Sequence, residues 1–501
     1  MNDNALSPVE ISKEEFRKIG YQLVDSVSEF IDGIDKRRVT TGESPQEIAG
    51  IVGSPPLPEE GSSPEIILKK VSDLLFDHSL LNGHPKFFGY ITSSPSPVGA
   101  LADLLAAAVN PNVGANILSP AATEIEKQTV SWLAGLTGLS SYDGLLVSGG
   151  NMANFTGFLA ARTAKAPDGA KTGGLSAIDR KMVCYCSKAT HAWIEKASIL
   201  FGLGTDAIRW IDTEMGNRID ISALREAVQT DMSNGLLPFL VIGNAGDVST
   251  GAIDDLGAIA SVCIEYDMWF HVDGAYGLPA SLLPELKERF SGITSADSVA
   301  IDPHKWLYCP LEAGCILVKD PVHLKHAFSI HPVYYNFDEE DPSIRNYYEY
   351  GLQNSRGFRA LKVWCTLQQV GRKGYEKLIG HDIRMARLLY TLAQNDPELE
   401  PVTQNLSITT LRYRPSDYNY SEQHLNELNE KLLNELQKGG EVFLSNAVID
   451  GRYCLRACIV NFRTREKDIE EAVEIIVREG KRVHEEWRKE TVAEGVAQAG
   501  S

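Results

Sequence analysis

Between residues 90 and 320, short apolar segments alternate with segments whose apolar residues recur at the 3.6-residue period of a helix. The apolar segments end in Gly, Ser, Asp or His, and they read DGLLVSGG, KMVCYCS, LPFLVIGNAG, MWFHVDGAYG and SVAIDPHK. Helix-period segments such as NFTGFLAARTA and GAIASVCIEYD lie between them. This alternation predicts an α/β fold with a mostly parallel central sheet and helices on both of its faces.

The chain has 501 residues, too many for one compact core. We predict an N-terminal helical segment over 1–89, a large domain over 90–376 and a small C-terminal α+β domain over 377–501. A helix predicted over 14–31 carries an apolar stripe that must pack on the main body or on a second subunit. The stripe consists of Phe16, Ile19, Leu23, Val27 and Phe30.

Composition limits the classes of partner. The formal net charge of −19 repels nucleic-acid phosphates and anionic lipids, so we expect neither nucleic acid nor membrane as a partner. The N-terminus carries no apolar core of a secretory signal, and no stretch approaches the roughly 18 apolar residues of a membrane helix. The eight cysteines are scattered without metal-ligand spacing, which predicts reduced thiols in a cytoplasmic protein and no metal site.

The segment SVAIDPHKWLYC places an amine, that of Lys305, at the end of a predicted core strand. Ligands bind outside the carboxyl ends of strands in such sheets, where this lysine would lie. Lys305 could extend its amine into solvent, which is the commoner role of a lone lysine. It could instead be a Schiff-base lysine, because desolvation lowers the pKa of an amine and frees it to attack an aldehyde. The residue alone leaves both interpretations open.

Asp273 ends another apolar segment, MWFHVDGAYG, and a buried carboxylate needs a partner. It could cap a helix N-terminus. It could also pair with the protonated pyridine nitrogen of pyridoxal 5′-phosphate (PLP), whose ring is an electron sink. Gly274, Ala275 and Gly277 would leave room for a flat ring, with Ala275 packed against its face.

Three more groups come directly after predicted strands. The Gly149–Gly150 turn leads into a helix whose first N–H groups could bind a phosphate, although a plain tight turn would look the same. His191 could be a structural histidine, or it could stack on the cofactor ring and contact the substrate carboxylate. His304, beside the lysine, has the same two interpretations. All these groups are expected to meet in one crevice at the carboxyl ends of the strands.

In this order, the Gly-Gly turn and the segments THAWIEKA, HVDGAYG and DPHKWL resemble the group II PLP-dependent decarboxylases, most closely the aromatic L-amino-acid decarboxylases. The resemblance extends over most of the chain through HPKFFGY, SPAATEIE, GFRALKVW and LRACIVNFRT. It implies a fold-type I enzyme that decarboxylates tryptophan, tyrosine, DOPA or phenylalanine to the amine. It also implies a homodimer with the active site at the subunit interface, against which the N-terminal segment would pack.

The resemblance implies a role for each motif residue. Lys305 would bind the cofactor as a Schiff base, Asp273 would pair with the pyridine nitrogen, and His191 would stack on the ring. Further cofactor contacts would come from Gly150, Asn151, Met152, Ala275, His304 and Ser355. The substrate would contact Tyr90, Ile91, Asn112 and Gly114. The stretch around Asn112 and Gly114, like Ser355, would reach across from the other subunit.

The segment 331–350, HPVYYNFDEEDPSIRNYYEY, is long and polar, which is typical of a functional or disordered loop. By resemblance Tyr334 is the catalytic tyrosine that protonates the substrate carbon after carbon dioxide leaves; alternatively it only packs the loop and Tyr335 acts. Sister enzymes that consume oxygen and make aldehydes typically replace this tyrosine or the stacking histidine, and this chain keeps both Tyr334 and His191. That favours decarboxylation over an aldehyde synthase. The His–Lys pair and the stacking histidine are less typical of an aminotransferase, and a non-catalytic binding protein would be expected to have lost Lys305, Asp273 or Tyr334. An aldehyde synthase and a decarboxylase of a non-aromatic amino acid stay the alternatives.

The chain departs from the family pattern at Asp247 and Val248, where hydroxyl residues are usual, and at Asn151, where a serine is common. These departures concern the surroundings of the cofactor and not the reaction type. Gly114 replaces a bulkier residue of some relatives and would admit an indole, whereas Ser355 accompanies phenolic substrates in plant relatives. The two features point to different substrates, so the preferred aromatic amino acid stays open.

Overall fold

The computed structural model describes residue 7 and residues 9–330, 344–416 and 420–499, with side chains up to residue 489. The α-helices are α1 (Lys13–Asp32), α2 (Pro45–Val52), α3 (Pro64–His78), α4 (Pro97–Val109), α5 (Pro120–Leu136), α6 (Gly150–Lys165), α7 (Ala170–Gly173), α8 (Trp193–Leu200), α9 (Ile221–Ser233), α10 (Leu256–Glu265), α11 (Val322–Phe328), α12 (Ala360–Asn395), α13 (Glu422–Gly439) and α14 (Glu466–Ala499). The strands are β1 (Asp143–Val147), β2 (Met182–Ser187), β3 (Ile208–Ile211), β4 (Thr213–Glu214), β5 (Arg218–Ile219), β6 (Leu237–Asn244), β7 (Trp269–Asp273), β8 (Ser298–Ile301), β9 (Gly314–Val318), β10 (Leu399–Asn405), β11 (Ile408–Tyr413), β12 (Ser445–Ile449) and β13 (Arg452–Cys458).

Seven strands form the central sheet, in the order β1-β9-β8-β7-β6-β2-β3. Neighbouring strands from β8 to β3 are parallel, and β9 lies antiparallel between β8 and β1. β1 therefore runs in the same direction as β8, and the carboxyl ends of β1, β2, β7 and β8 share one edge. The predicted mostly parallel sheet is confirmed, with β3 and the antiparallel β9 as strands that the sequence pattern did not reveal.

Both faces of the central sheet are buried, which explains why its strands are apolar almost throughout. Along β1, Leu146 packs in one core cluster with Leu133 of α5. Its neighbours Leu145 and Val147 pack in another cluster with Phe158 of α6. Because successive side chains of a strand point to opposite faces, these two clusters lie on the two sides of the sheet. The predicted arrangement of helices on both faces is confirmed.

The C-terminal part forms a separate, smaller α+β unit, as predicted. Its antiparallel sheet has the order β10-β11-β13-β12 and shares a core cluster with α13, α14 and the second half of α12. The predicted limit between 376 and 377 falls inside α12, whose helical geometry is interrupted at Gly371 with φ 63°. This left-handed conformation favours glycine. The exact domain limits stay a prediction.

The N-terminal helices leave much of their apolar surface exposed within one chain. Helix α1 packs against α3, and the rings of Phe30 and Phe76 stack with centroids 4.5 Å apart. Of the predicted stripe only Ile19 is buried, whereas Phe16 is 60% exposed. None of the helices in the described ranges combines the length and hydropathy that crossing a lipid bilayer demands.

Candidate active site

One cavity of about 500 Å³ lies at the carboxyl ends of the parallel strands. It is lined by ten of the predicted site residues, namely Tyr90, Ile91, Gly150, Asn151, Met152, His191, Asp273, Ala275, His304 and Lys305. Eight of them come together because strands of one direction end at one edge of the sheet, although the residues are far apart in sequence. Tyr90 and Ile91 come instead from the segment before α4, where the Tyr90 N–H donates to the Ser445 hydroxyl at 3.3 Å. The functional roles assigned to these residues stay predictions.

Three predicted residues lie away from this cavity. The side-chain oxygen of Asn112 accepts hydrogen bonds from the backbone N–H groups of Gly114, at 3.0 Å, and Arg356, at 3.1 Å. This ties the stretch that contains Gly114 to the exposed Ser355. A Cβ on Gly114 would lie 2.1 Å from the carbonyl oxygen of Asn354, so within one chain the backbone already fills the space that the glycine would offer an indole.

Tyr334, the predicted proton donor, and Tyr335 lie outside the described residues. The described end of that segment is anchored on the body of the protein. The guanidinium of Arg356 lies 4.6 Å from the ring centroid of Tyr347. Arg356 itself forms a buried ion pair with Glu126, so Tyr347 packs against a charged pair that is buried in the body of the protein.

Lys305 lies in a tight turn after β8. Its backbone N–H donates to the carbonyl oxygen of Asp302 at 2.9 Å, and its Nζ lies 3.1 Å from Oδ2 of the same residue. The Lys305 side chain is 23% exposed and the Asp302 side chain 1%. The amine is therefore held against a buried carboxylate in the cavity and does not extend into solvent. Burial lowers the pKa of the neighbouring His304, whose Nδ1 donates to the carbonyl oxygen of Ala313 at 2.7 Å.

A fully buried carboxylate supports this turn from behind. Asp382 of α12 accepts hydrogen bonds from the indole N–H of Trp306, at 3.0 Å, and from the hydroxyl of Tyr308, at 2.6 Å. Burial raises the pKa of Asp382 to about 7. The ring of Tyr276 stacks on Trp306 with centroids 5.1 Å apart. These contacts hold the residues that follow Lys305 and thereby restrict where its amine can lie.

Asp273 ends β7, and three donors satisfy its carboxylate. They are the indole N–H of Trp193 at 2.7 Å, the side-chain amide of Asn154 at 3.1 Å and the backbone N–H of Ala275 at 3.2 Å. His271 donates to the amide oxygen of Asn154 at 2.8 Å, which turns the amide nitrogen toward Asp273. Burial lowers the pKa of His271 to about 4, so this ring is neutral. The donors stabilise a negative charge on Asp273 without neutralising it, as a partner for a protonated pyridine nitrogen requires.

The Gly149–Gly150 turn leads into α6, whose N-terminus has no side-chain cap. The first N–H groups of a helix have no intrahelical acceptor, so those of Gly150 and of residues 151–152 are free to bind an anion in the cavity. A Cβ on Gly150 would lie 2.6 Å from Oδ2 of Asp302, and one on Gly149 would lie 3.2 Å from the ring of His304. Glycine at these positions allows the helix start to approach the Lys305 turn.

His191 follows β2 and lines the same cavity. Its Nδ1 accepts the backbone N–H of Trp193 at 3.2 Å. Desolvation lowers the pKa of His191, which favours the neutral imidazole. A neutral ring can pack flat against a cofactor ring without the cost of burying a charge.

The two departures after β6 also line the cavity. Asp247 is 2% exposed, and its carboxylate accepts the backbone N–H groups of Ser249, Thr250 and Ala252 at 2.7, 2.9 and 2.8 Å. Its charge is thus stabilised by the loop that it closes. Asp247 therefore stabilises the backbone of its own loop by hydrogen bonds, and Val248 adds an apolar surface to the cavity beside it.

Several groups that shape the cavity were not identified as site residues from the sequence. They are Asn154, Trp193, Asn244, Asp302 and Arg456. Asp302 and Trp193 lie in the motif segments, so their polar groups at strand ends were a usable signal. Arg456 also lies in a segment of the resemblance, LRACIVNFRT, but nothing local shows that this arginine of β13 reaches a cavity at the edge of the central sheet. Its Nη1 donates to the Ser445 hydroxyl at 2.8 Å, whereas its Nε and Nη2 have no hydrogen-bond partner among the described residues.

The donor set fits a phosphate-bearing pyridine aldehyde. The α6 N-terminus offers N–H groups for the phosphate, Asp273 offers an anion for the ring nitrogen, and Lys305 offers an amine for the aldehyde. Ala275 and His191 line the cavity where a flat ring would need neighbours. Across the described ranges, no three His, Cys, Asp or Glu side chains are grouped so that they could hold a metal ion.

Comparison with known proteins supports the same chemistry. A family model described as the pyridoxal-dependent decarboxylase conserved domain matches residues 54–414. An aromatic-L-amino-acid decarboxylase from Bacillus atrophaeus is 33% identical over 92% of this chain and 94% of its own. A phenylacetaldehyde synthase from a Rosa hybrid cultivar is 30% identical over 93% and 94%. The crystal structure of Oryza sativa TDC with PLP and tryptamine superposes with a TM-score of 0.88 at 26% identity, covering 95% of this chain and 99% of that one.

Proposed function

This chain belongs to the pyridoxal-dependent decarboxylases, which are PLP-dependent carboxy-lyases of fold-type I, and we therefore propose that it converts an aromatic L-amino acid to the amine and carbon dioxide. The observation that carries the proposal is the amine of Lys305 in the same cavity as Asp273, a carboxylate held by three hydrogen bonds. Relatives named for aromatic amino acids support the substrate class.

The chain's own groups would divide the work. Lys305 supplies the amine, residues 150–152 hold the phosphate by their N–H groups, and Asp273 keeps a proton on the pyridine nitrogen. Bound PLP supplies the electron sink for the pair left when carbon dioxide departs. His191 would pack against the ring as a neutral imidazole. Tyr334 would give a proton to the substrate carbon.

The side chains of Tyr90, Ile91 and Val248 give the cavity an apolar part, which suits an aromatic ring.

The test of the proposed function is to incubate purified protein and PLP with L-tryptophan, L-tyrosine, L-DOPA or L-phenylalanine in separate reactions. Amine formation, aldehyde formation and oxygen uptake are followed together. Amine without oxygen uptake from at least one of them is the expected result. Aldehyde with oxygen uptake would establish the aldehyde synthase instead, an activity named in a relative and in a solved structure.

A second candidate is a decarboxylase of an acidic amino acid. It is favoured by Arg456, a buried cation that lines the cavity and keeps two nitrogens without hydrogen-bond partners in the described chain. An acidic side chain of a substrate would satisfy those nitrogens. Adding L-glutamate and L-aspartate to the substrate series distinguishes the candidates, because an aromatic enzyme should leave both unreacted.

Replacing Tyr334 with phenylalanine should shift the product from amine toward aldehyde. The substitution removes the hydroxyl that would protonate the substrate carbon. The unprotonated carbon would then be available to react with oxygen. Simultaneous measurement of amine, aldehyde and oxygen consumption checks the result, with Tyr335→Phe as the matched control. Normal amine output from Tyr334→Phe together with aldehyde from Tyr335→Phe would move the role to the neighbouring tyrosine.

We also propose a homodimer in the cytoplasm. Eight free cysteines, seven of them buried, support a reducing compartment.

The proposed homodimer is supported by exposed apolar side chains on α1, α3 and α4, which would form a subunit interface. They include Phe16, Ile66, Leu101, Leu104, Leu105 and Val109. Helix α4 leads directly into the stretch with Asn112 and Gly114, which would then reach the partner's site. Light scattering should give twice the mass of one chain; a monomer would contradict the proposal.

A further inference from the structure

Three aspartates line the cavity, and they differ in how their charge is balanced. Backbone and side-chain donors satisfy Asp247 and Asp273. Neither oxygen of Asp302 has a hydrogen-bond partner in the described chain, although the residue is only 1% exposed. A buried carboxylate without donors is costly, so a nearby cation must compensate its charge.

Lys305 is the cation that faces Asp302, with Nζ 3.1 Å from Oδ2. The cavity also holds Asp247 and Asp273, whose carboxylates have donors of their own, and Arg456, and the remaining titratable neighbours of Asp302 are two imidazoles and a thiol whose pKa shifts favour the neutral form. His304 lies 3.7 Å away through Nε2, and burial lowers its pKa. Desolvation also lowers the pKa of His191, and burial raises that of the Cys315 thiol on β9 well above its usual value. Asp302 and Lys305 therefore form an ion pair that depends on the lysine's remaining an ammonium.

Cofactor binding creates a conflict for this pair, an argument that rests on the proposed function. A Cβ on Gly150 would lie 2.6 Å from Oδ2 of Asp302, so the carboxylate abuts the helix start that would hold the phosphate. An ionised Asp302 would face a second anion there. An ammonium on Lys305 has no lone pair with which to attack an aldehyde.

We propose that Asp302 is the base that takes the proton from Lys305 when the cofactor binds. The proton moves from Nζ to Oδ2, no bond between heavier atoms changes, and a neutral amine and a neutral carboxylic acid result. The transfer replaces a buried carboxylate and a partly buried ammonium with two neutral groups, which a site that loses water when the cofactor enters favours. The new O–H of Asp302 is then a donor beside the phosphate instead of a repelling charge.

The experiment uses full-length protein freed of PLP, comparing wild type with Asp302→Asn. The first readout is the rate at which the absorbance of the covalent Lys305–PLP complex develops. The second is the dissociation constant of pyridoxine 5′-phosphate, which has the phosphate and ring but no aldehyde. We expect covalent binding to slow at least tenfold, while the analogue binds equally well or more tightly. Asp302→Ser repeats the test if the amide variant fails to fold by circular dichroism.

The matched control is Asp231→Asn, at another buried aspartate that pairs with a cation, Arg209 at 2.8 Å, outside the cavity. It should leave both readouts within twofold of wild type. An unchanged or faster covalent rate in Asp302→Asn would overturn the proposal, since Asp302 would then only hold the ammonium in place. Weaker binding of the analogue in parallel with the slower rate would also overturn it. A wild-type protein that binds PLP covalently but decarboxylates no amino acid would refute the proposed function. The rates of covalent PLP binding in wild type and Asp302→Asn would still test the role of Asp302.

Discussion

Replacing Lys305 with alanine is expected to eliminate the absorbance of covalently bound PLP and to lower amine formation by roughly 10³-fold or more. The reason lies in the turn after β8, where the amine projects into the cavity at 3.1 Å from Asp302. No neighbouring amine lines the described part of the cavity to replace it. Absorbance spectra, borohydride reduction followed by mass spectrometry, and amine assays measure the three consequences.

Lys362→Ala is the matched control for that variant. Lys362 is also buried, and its Nζ lies 3.0 Å from Asp103, but it does not line the cavity. Its loss should affect thermal stability while leaving the covalent absorbance intact. An unchanged spectrum in Lys305→Ala would show that the cofactor is attached elsewhere.

Replacing Asp273 with asparagine should lower kcat by roughly 10²- to 10³-fold, the usual effect of removing one preorganised charge from a reaction centre. Asparagine keeps the shape of aspartate but cannot hold a proton on a pyridine nitrogen by charge. It also presents an amide N–H to Trp193 and Asn154, both of which donate hydrogen bonds to Asp273. Steady-state kinetics at saturating PLP separates this loss from weaker cofactor binding.

Trp193→Phe offers a graded comparison. It removes the 2.7 Å donor to Asp273 but leaves the carboxylate and the donor from Asn154 in place. Its kcat should fall by about tenfold, less than that of Asp273→Asn. If the two variants lose activity equally, the carboxylate acts through its hydrogen-bonded position and not through its charge.

Much of this architecture could be read from local patterns. Short apolar segments ending in Gly, Ser, Asp or His predicted the strands that carry Asp273 and Lys305, because buried parallel strands and their polar ends differ in composition. The antiparallel β9 escaped prediction, since strand direction depends on partners distant in sequence. The glycine at 114 suggested space for a substrate, but the backbone at Asn354 fills that space.

Residue identity and order were thus enough to predict the family, the cofactor and the strand-end positions of Lys305 and Asp273, because motif spacing and burial periodicity are local properties of a chain. Only the folded chain revealed that the buried Asp302 has Lys305 as its ion-pair partner and no hydrogen-bond donor, that Asp382 supports the turn from behind, and that Arg456 enters the cavity from the C-terminal unit. Distances, burial and hydrogen-bond partners between remote segments arise from three-dimensional packing, and they decide which charges are compensated and which are left to act on a ligand.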